Sequence, residues 1–284
     1  MSVESGDGSG LVRLGIRVRR DRAETALAAL LPLLEGGGAE EVDPGDGTVE
    51  YALYGAPAAL PEAAAVRALA GDAVVALAVT DVPAGWERAW HAHVRPVEVA
   101  VGDRRLRIRP PWAAPDDGAA LDVVVHPGDT FGVAGHATTQ LCLELLLELE
   151  PDGALCDWGA GGGVLALAAA RIGFAPVEAV ERDPHAVATI RANAAANGVD
   201  VRAHALDLTA TAPPWAPTVC ANLTLELLLA LARVVAARRP VRMIASGVLE
   251  EQADAAAAAL AGIGLGETRR RVRDGWAALR LERA

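Results

Sequence analysis

Lysine is missing altogether from this chain of 284 residues, and all 26 of its basic side chains are arginine. Alanine and glycine are abundant beside that gap, as a GC-rich genome would leave them, so the absence assigns no function. Aromatic residues are scarce at 4%, as two Tyr, two Phe and six Trp. The three cysteines (Cys142, Cys156, Cys220) have no paired spacing and lie in apolar segments, so buried, reduced thiols are expected rather than a disulfide framework. Long apolar runs are also missing, because charge breaks each one well short of a membrane span. Met1 to Gly10 is polar and acidic, which argues against a secretory signal. What is present is 52% hydrophobic and 22% charged, the balance of a globular protein. The length allows one large domain and a small one. These features are expected of a bacterial-type cytoplasmic protein.

Basic charge is in deficit, and unevenly so. Residues 1–85 hold 13 acidic side chains against 6 arginines, net −7, while residues 86–284 hold 24 against 20, net −4. Such a surface repels phosphate backbones and suits a basic partner. Solubility alone is the competing explanation. Direct nucleic-acid binding and membrane association are not expected.

The first part of the chain alternates cleanly. Leu11 to Val18 reads as a strand, and Ala23 to Leu34 has helical spacing closed by Gly36-Gly37-Gly38. Ala39 to Val42 and Val49 to Tyr54 flank Asp46-Gly47 as a hairpin. Pro61 to Ala70 is helical and Ala73 to Val79 is a strand-like apolar run. The result is β-α-β-β-α-β, a ferredoxin-like arrangement over residues 1–82. It carries no cofactor motif, so a recognition or docking role is expected. Residues 83–96 form a linker with Trp86 and Trp90 at helical spacing, read as packing between domains.

Residues 97–284 form the second domain. Val97 to Ile108 is a strand pair around Gly102-Asp103, and Leu121 to Val125 is another strand. From Thr138 onward helices alternate with strands ending near Asp157, Glu181, Asp207, Asn222 and Ser246. The chain closes with Glu267–Arg273 and Trp276–Leu281 around Asp274-Gly275. That pattern implies a parallel α/β sheet ending in an antiparallel hairpin.

Its most informative stretch is Asp157-Trp158-Gly159-Ala160-Gly161-Gly162-Gly163, between an apolar run ending at Cys156 and a helical run from Val164 to Ile172. Glycines at a strand-to-helix turn let a ligand approach the backbone, since no Cβ intervenes. The dinucleotide pattern G-x-G-x-x-G fits poorly, because Val164 stands at its third glycine. D-x-G-x-G-x-G fits throughout and resembles the loop of S-adenosylmethionine-dependent methyltransferases with a Rossmann-like sheet. Glu181 ends the next strand 22 positions after Gly159, where an acid can hold both ribose hydroxyls. A merely structural glycine turn is the alternative at this point.

Taken in order, the motifs resemble a whole family: the bacterial methyltransferases of ribosomal protein eleven, the PrmA type. The resemblance is carried by Trp86 and Trp90, by Arg107-Ile108-Arg109-Pro110-Pro111-Trp112, and by Pro127-Gly128-Asp129-Thr130-Phe131-Gly132-Val133-Ala134-Gly135-His136-Ala137-Thr138-Thr139 before the glycine loop. It continues through Glu181-Arg182-Asp183-Pro184, Ala221-Asn222-Leu223, Ser246-Gly247-Val248-Leu249-Glu250-Glu251-Gln252 and Gly275-Trp276-Ala277-Ala278-Leu279. It implies S-adenosylmethionine as cofactor and a basic ribosomal protein as substrate, methylated on lysine or N-terminal amino groups. By position, Thr139, Gly159, Glu181 and Asn222 take the family's cofactor-binding roles. Two departures stand out. Val133-Ala134-Gly135 replaces the family's T-G-x, and Leu223-Thr224-Leu225-Glu226-Leu227 lacks the proline often found after the asparagine.

Methyl transfer needs little acid–base machinery, but the amine must arrive deprotonated and in line with the S–CH₃ bond. Asn222 is therefore a candidate catalytic residue, its carbonyl orienting the amine, with a helix N-cap as the plainer role. His136 is the second, lining a substrate channel or packing its loop. Asp157 can orient the methionine ammonium or cap the turn, Gly161 belongs to the loop, and Asp207 can meet the adenine amino group or sit in a solvated loop. His91-x-His93 has no accompanying cysteine or carboxylate cluster, so no metal is expected. Three functions compete: the ribosomal-protein methyltransferase, the same fold acting on another protein lysine or a small molecule, and a cofactor-binding assembly factor with weakened catalysis. A monomer is expected.

Overall fold

The computed structural model describes residues 12–33, 39–82, 94–115, 118, 121–126, 134–235 and 239–283. The linker tryptophans Trp86 and Trp90, the His91-x-His93 pair, the Gly36-Gly37-Gly38 stop, and the family loop as far as Val133 lie outside the described residues. Contacts divide the chain into two compact units, 1–94 and 95–284.

In the first unit, β1 (Val12–Arg19) is followed by α1 (Ala23–Leu30), β2 (Glu40–Val42), β3 (Thr48–Gly55), α2 (Ala63–Ala70) and β4 (Val74–Asp81). The strands lie in the order β2-β3-β1-β4, and every neighbouring pair is antiparallel. Alternation along β1 buries Leu14, Ile16 and Val18, while helical spacing buries Ala23, Ala26, Leu27 and Leu30 of α1 and Val66 and Ala70 of α2. This is the ferredoxin-like arrangement that the sequence pattern implies.

The second unit begins with a three-stranded sheet. β5 (Val97–Val101) and β6 (Arg104–Arg109) pair antiparallel around Gly102, and β7 (Leu121–Val124) runs parallel to β6. Then come α3 (Ala137–Leu147), β8 (Leu155–Trp158), α4 (Val164–Ile172), β9 (Val177–Glu181), α5 (Pro184–Asn197), β10 (Val201–Ala205) and β11 (Thr218–Asn222). The chain continues through α6 (Leu225–Val235), β12 (Arg242–Leu249), α7 (Ala253–Ala261), β13 (Leu265–Arg273) and β14 (Trp276–Arg283).

Among the described residues, the seven strands from β8 onward form one sheet in the order β10-β9-β8-β11-β12-β14-β13. The first five are parallel and β14 runs antiparallel between β12 and β13. The sheet is the Rossmann-like methyltransferase arrangement expected from the sequence. All four residues of β8 are buried, as a central parallel strand requires. Helix α3 is buried nearly all round, which explains why Leu141 to Leu147 reads as almost continuous leucine. Successive connections run outward from β8 toward β10 and then return to β11 on its other side. That reversal opens a crevice at the carboxyl ends of β8 and β11, where ligands of open α/β sheets bind. Topology alone thus points to the segments after Trp158 and around Asn222.

Candidate cofactor and active site

The glycine loop is held from three sides. Gly159 N and Ala160 N both donate to Val180 O, at 2.8 and 3.0 Å, which pins the loop to the end of β9. Gly161 N donates to Glu181 Oε2 at 3.0 Å. Asn193 of α5, fully buried, donates from Nδ2 to Gly162 O at 3.1 Å and accepts from His126 N at 3.0 Å. Gly159 (φ 70°) and Gly163 (φ 87°) lie in the left-handed region that glycine adopts without strain. A Cβ on Gly159 would run into the side chain of Leu223, so the residue after Asn222 packs against the loop.

Asp157 ends up beneath this loop, 1% exposed. Its Oδ2 accepts from Ala166 N at 3.1 Å, capping the first turn of α4. Its Oδ1 has no hydrogen-bond partner among the described residues. Burial is the main force raising this carboxyl to about 7, and the nearby Glu181 charge adds to it against the opposing Ala166 N–H. Both roles open in the sequence therefore remain open to the two oxygens: one caps, the other is free for a cation.

Glu181 turns its carboxylate onto backbone N–H groups. Beside Gly161 N it accepts from Arg182 N at 2.6 Å and Asp183 N at 3.2 Å. Asp207 sits one turn beyond β10, exposed, with Oδ1 accepting from Thr209 N at 2.8 Å and Thr209 Oγ1 at 2.7 Å. Those bonds hold its carboxyl below the usual range. Leu206 N donates to Glu181 O at 2.8 Å, which keeps the Asp207 turn next to Glu181.

Asn222 closes β11. Its Nδ2 donates to Thr138 Oγ1 at 3.1 Å and Thr139 Oγ1 at 3.4 Å, both threonines being buried at the start of α3. Among the described residues its recorded side-chain bonds go to these threonines, and the first helical bond of α6 runs from Leu228 N to Thr224 O. The carbonyl end of its planar amide is thereby directed away from the threonines.

His136 is the N-cap of α3. Its Nδ1 accepts from Thr138 N at 3.3 Å and lies 2.8 Å from Thr138 Oγ1. The ring meets Trp276 edge-on, with centroids 5.2 Å apart. Burial lowers its pKa to about 4, despite the opposing Asp274, so the imidazole is neutral near pH 7. Trp276 is presented by the Asp274-Gly275 turn, both residues at positive φ as a two-residue hairpin of this kind needs.

The structure thus gathers Thr139, Asp157, Gly159, Gly161, Glu181, Asn222 and His136 along the carboxyl edge of β8, β9 and β11, with Asp207 at its outer end. Thr138, Asn193, Gly247 and Trp276 carry supporting roles that sequence reasoning did not assign. Gly247 (φ 85°) lies against the Leu223 backbone, where a Cβ would stand 2.4 Å from Leu223 O. Trp276 and Gly247 lay within recognised motifs, but their contacts are with residues far away in sequence. Ala134 is buried, whereas its neighbour Val133 lies outside the described residues. Among the described residues, no cluster of His, Cys, Asp or Glu could hold a metal, and no helix is long and apolar enough to cross a membrane.

Comparison with known proteins identifies the family. A protein from Pelotomaculum thermopropionicum named Ribosomal protein L11 methyltransferase is 35% identical over 263 residues, 90% of this chain and 81% of its own length. One of the same name from Symbiobacterium thermophilum is 37% identical over 199 residues, 68% of this chain. The matched stretch covers 64% of that relative, a little under two thirds of its length. The crystal structure of ribosomal protein L11 methylase from Lactobacillus delbrueckii subsp. bulgaricus superposes with a TM-score of 0.58 at 25% identity, covering 66% of this chain and 98% of the other. A sequence model of the family described as Ribosomal protein L11 methyltransferase (PrmA) matches residues 66–284, and the chain belongs to that family.

Proposed function

We propose that this protein transfers methyl groups from S-adenosylmethionine to amino groups of ribosomal protein L11, on lysine side chains, the N-terminal amine, or both. The observation that carries the reading is the convergence of the glycine loop, Glu181 and Asn222 on the crevice between β8 and β11 in a chain of this family.

The residues present suit the cofactor. Positive-φ glycines leave a cradle free of Cβ atoms, and a buried carboxylate oxygen of Asp157 lacks a partner, as a site for a cationic ligand would have it. When bound, S-adenosylmethionine supplies a methyl group on a sulfonium, already electrophilic. Gly159 and Gly161 would flank it, with Glu181 on the ribose hydroxyls, Asp157 on the methionine ammonium, Asp207 toward the adenine amino group, and Thr139 beside the reacting end. Asn222 would accept a hydrogen bond from the incoming amine and aim its lone pair, which is orientation rather than proton removal. His136 cannot be the base through Nδ1, because that nitrogen already accepts from Thr138 N. We assign it to positioning at the mouth of the site.

The acidic first unit suits a basic protein better than RNA, and a docking role for it follows. The cytoplasm, where ribosomal proteins are made, is the compartment this reading requires. Incubating the purified protein with labelled S-adenosylmethionine and purified L11 should label L11, and mass spectrometry should place the label on amino groups. Cofactor binding without transfer to L11 would instead favour an assembly factor or another acceptor.

A further inference from the structure

We infer that Thr138 is a positioning residue whose hydroxyl sets the direction of the Asn222 amide through a polarised chain that begins at a backbone N–H. The inference rests on the proposed role of Asn222 as the group that orients the amine.

Hydrogen-bond polarity dictates the chain step by step. The Thr138 backbone N–H can only donate, and it donates to His136 Nδ1 at 3.3 Å. Nδ1 therefore holds a lone pair, and the imidazole proton sits on Nε2. The Thr138 hydroxyl, 2.8 Å from that same Nδ1, must then point its hydrogen at the ring. Its oxygen is left with acceptor capacity only, and 3.1 Å away stands the Asn222 amide. An oxygen that can only accept selects the NH₂ end of the amide. Thr139 Oγ1, at 3.4 Å, is a further acceptor for the same NH₂. With the NH₂ turned to the threonines, Asn222 presents its carbonyl to an incoming amine. A flipped amide would set carbonyl against hydroxyl lone pair and amide N–H against the amine it is meant to receive.

Burial makes the chain rigid. Thr138 is 2% exposed, His136 is braced edge-on by Trp276, and burial keeps its ring neutral. The backbone of α3 thus dictates, through two side chains, which end of a third faces the acceptor.

Thr138→Val keeps the shape and removes the hydroxyl. It should lower kcat on L11 by roughly tenfold, the order of one positioning hydrogen bond, while leaving KM for S-adenosylmethionine unchanged, and Thr138→Ser should restore the rate. Combined with Asn222→Ala, it should add nothing to the loss from Asn222→Ala alone, since both act through one group. Wild-type kcat in Thr138→Val, with Asn222→Ala impaired, overturns the inference and leaves the role of Asn222 standing. Wild-type kcat in Asn222→Ala overturns that role and the inference with it. Nitrogen NMR of histidine-labelled wild-type protein needs no variant to fold: a His136 ring protonated on Nε2 supports the chain, and one protonated on Nδ1 sinks it.

Discussion

Asp157 is a buried carboxyl that ties pH to stability and, on the proposed reading, to binding. Its pKa, raised to about 7 chiefly by burial, lies well above that of an unfolded aspartate, so the native state holds an extra proton between the two values. Stability contributed by this group is therefore full at acid pH, falls as pH rises toward 7, and is flat above it. Asp157→Asn should abolish that fall. On the proposed reading the methionine ammonium favours the ionised form, so binding below about pH 7 releases a proton, and affinity climbs as pH rises toward that value and levels off above it. Calorimetric titration in buffers of different ionisation enthalpy should detect close to one proton released in the wild type and none in Asp157→Asn. Equal proton release by both would move the ammonium away from Asp157. Glu181 offers a second residue-level test. Glu181→Ala should weaken S-adenosylmethionine binding by about thirtyfold, on the order of 2 kcal/mol. Equal binding by variant and wild type would remove the ribose from this site.

At the scale of elements, the candidate site edge is held by contacts between segments far apart in sequence. Gly247 interrupts β12 at positive φ, where an added Cβ would run into the backbone of Leu223. Leu223 N also donates to Ser246 O at 2.9 Å. Gly247→Ala adds backbone strain and a clash that only movement of the Asn222–Leu223 segment relieves, so a loss of roughly 2–4 kcal/mol is expected by urea unfolding, with activity falling further than stability alone explains. An unchanged midpoint would mean that the β11 end yields freely. Asn193 ties the base of the segment after β7 to the glycine loop, and Asn197 adds bonds to Val124 N and O. Asn193→Ala takes the side-chain partner from the buried Gly162 carbonyl and removes the bond from His126 N, at a cost of about 1–3 kcal/mol. The glycine loop itself was legible from sequence because glycine spacing and strand-helix order are local. Its braces were not, since no local pattern sets Asn193 against Gly162 or Gly247 against Leu223 until the chain folds.

At the scale of the molecule, two compact units divide the labour proposed for them. The first carries most of the excess acid and lacks the glycine loop; the second holds every candidate cofactor contact. A chain beginning at Arg95 should bind S-adenosylmethionine as the full chain does and fail to methylate L11. Methylation of intact L11 by that shorter chain would assign recognition to the second unit. Rising salt should raise KM for L11 in the full chain while leaving cofactor affinity unchanged, because docking between acidic and basic surfaces is screened.

Residue order alone determined the ferredoxin-like and parallel α/β patterns, the Asp157–Gly163 loop, the acid at Glu181 and the asparagine after β11. Each is a short-range signal: a periodicity, a glycine at a turn, or a fixed spacing along one strand and its loop. Tertiary structure decided the rest. Insertion of β14 between β12 and β13 brings Trp276 onto His136, and the return of the chain from β10 to β11 sets Asn222 against Thr138. The raised pKa of Asp157, the tautomer of His136 and the direction of the Asn222 amide follow from burial and from which donors face which acceptors. Those are properties of neighbours in space, 84 residues apart in the case of Asn222 and Thr138, and no local pattern encodes them.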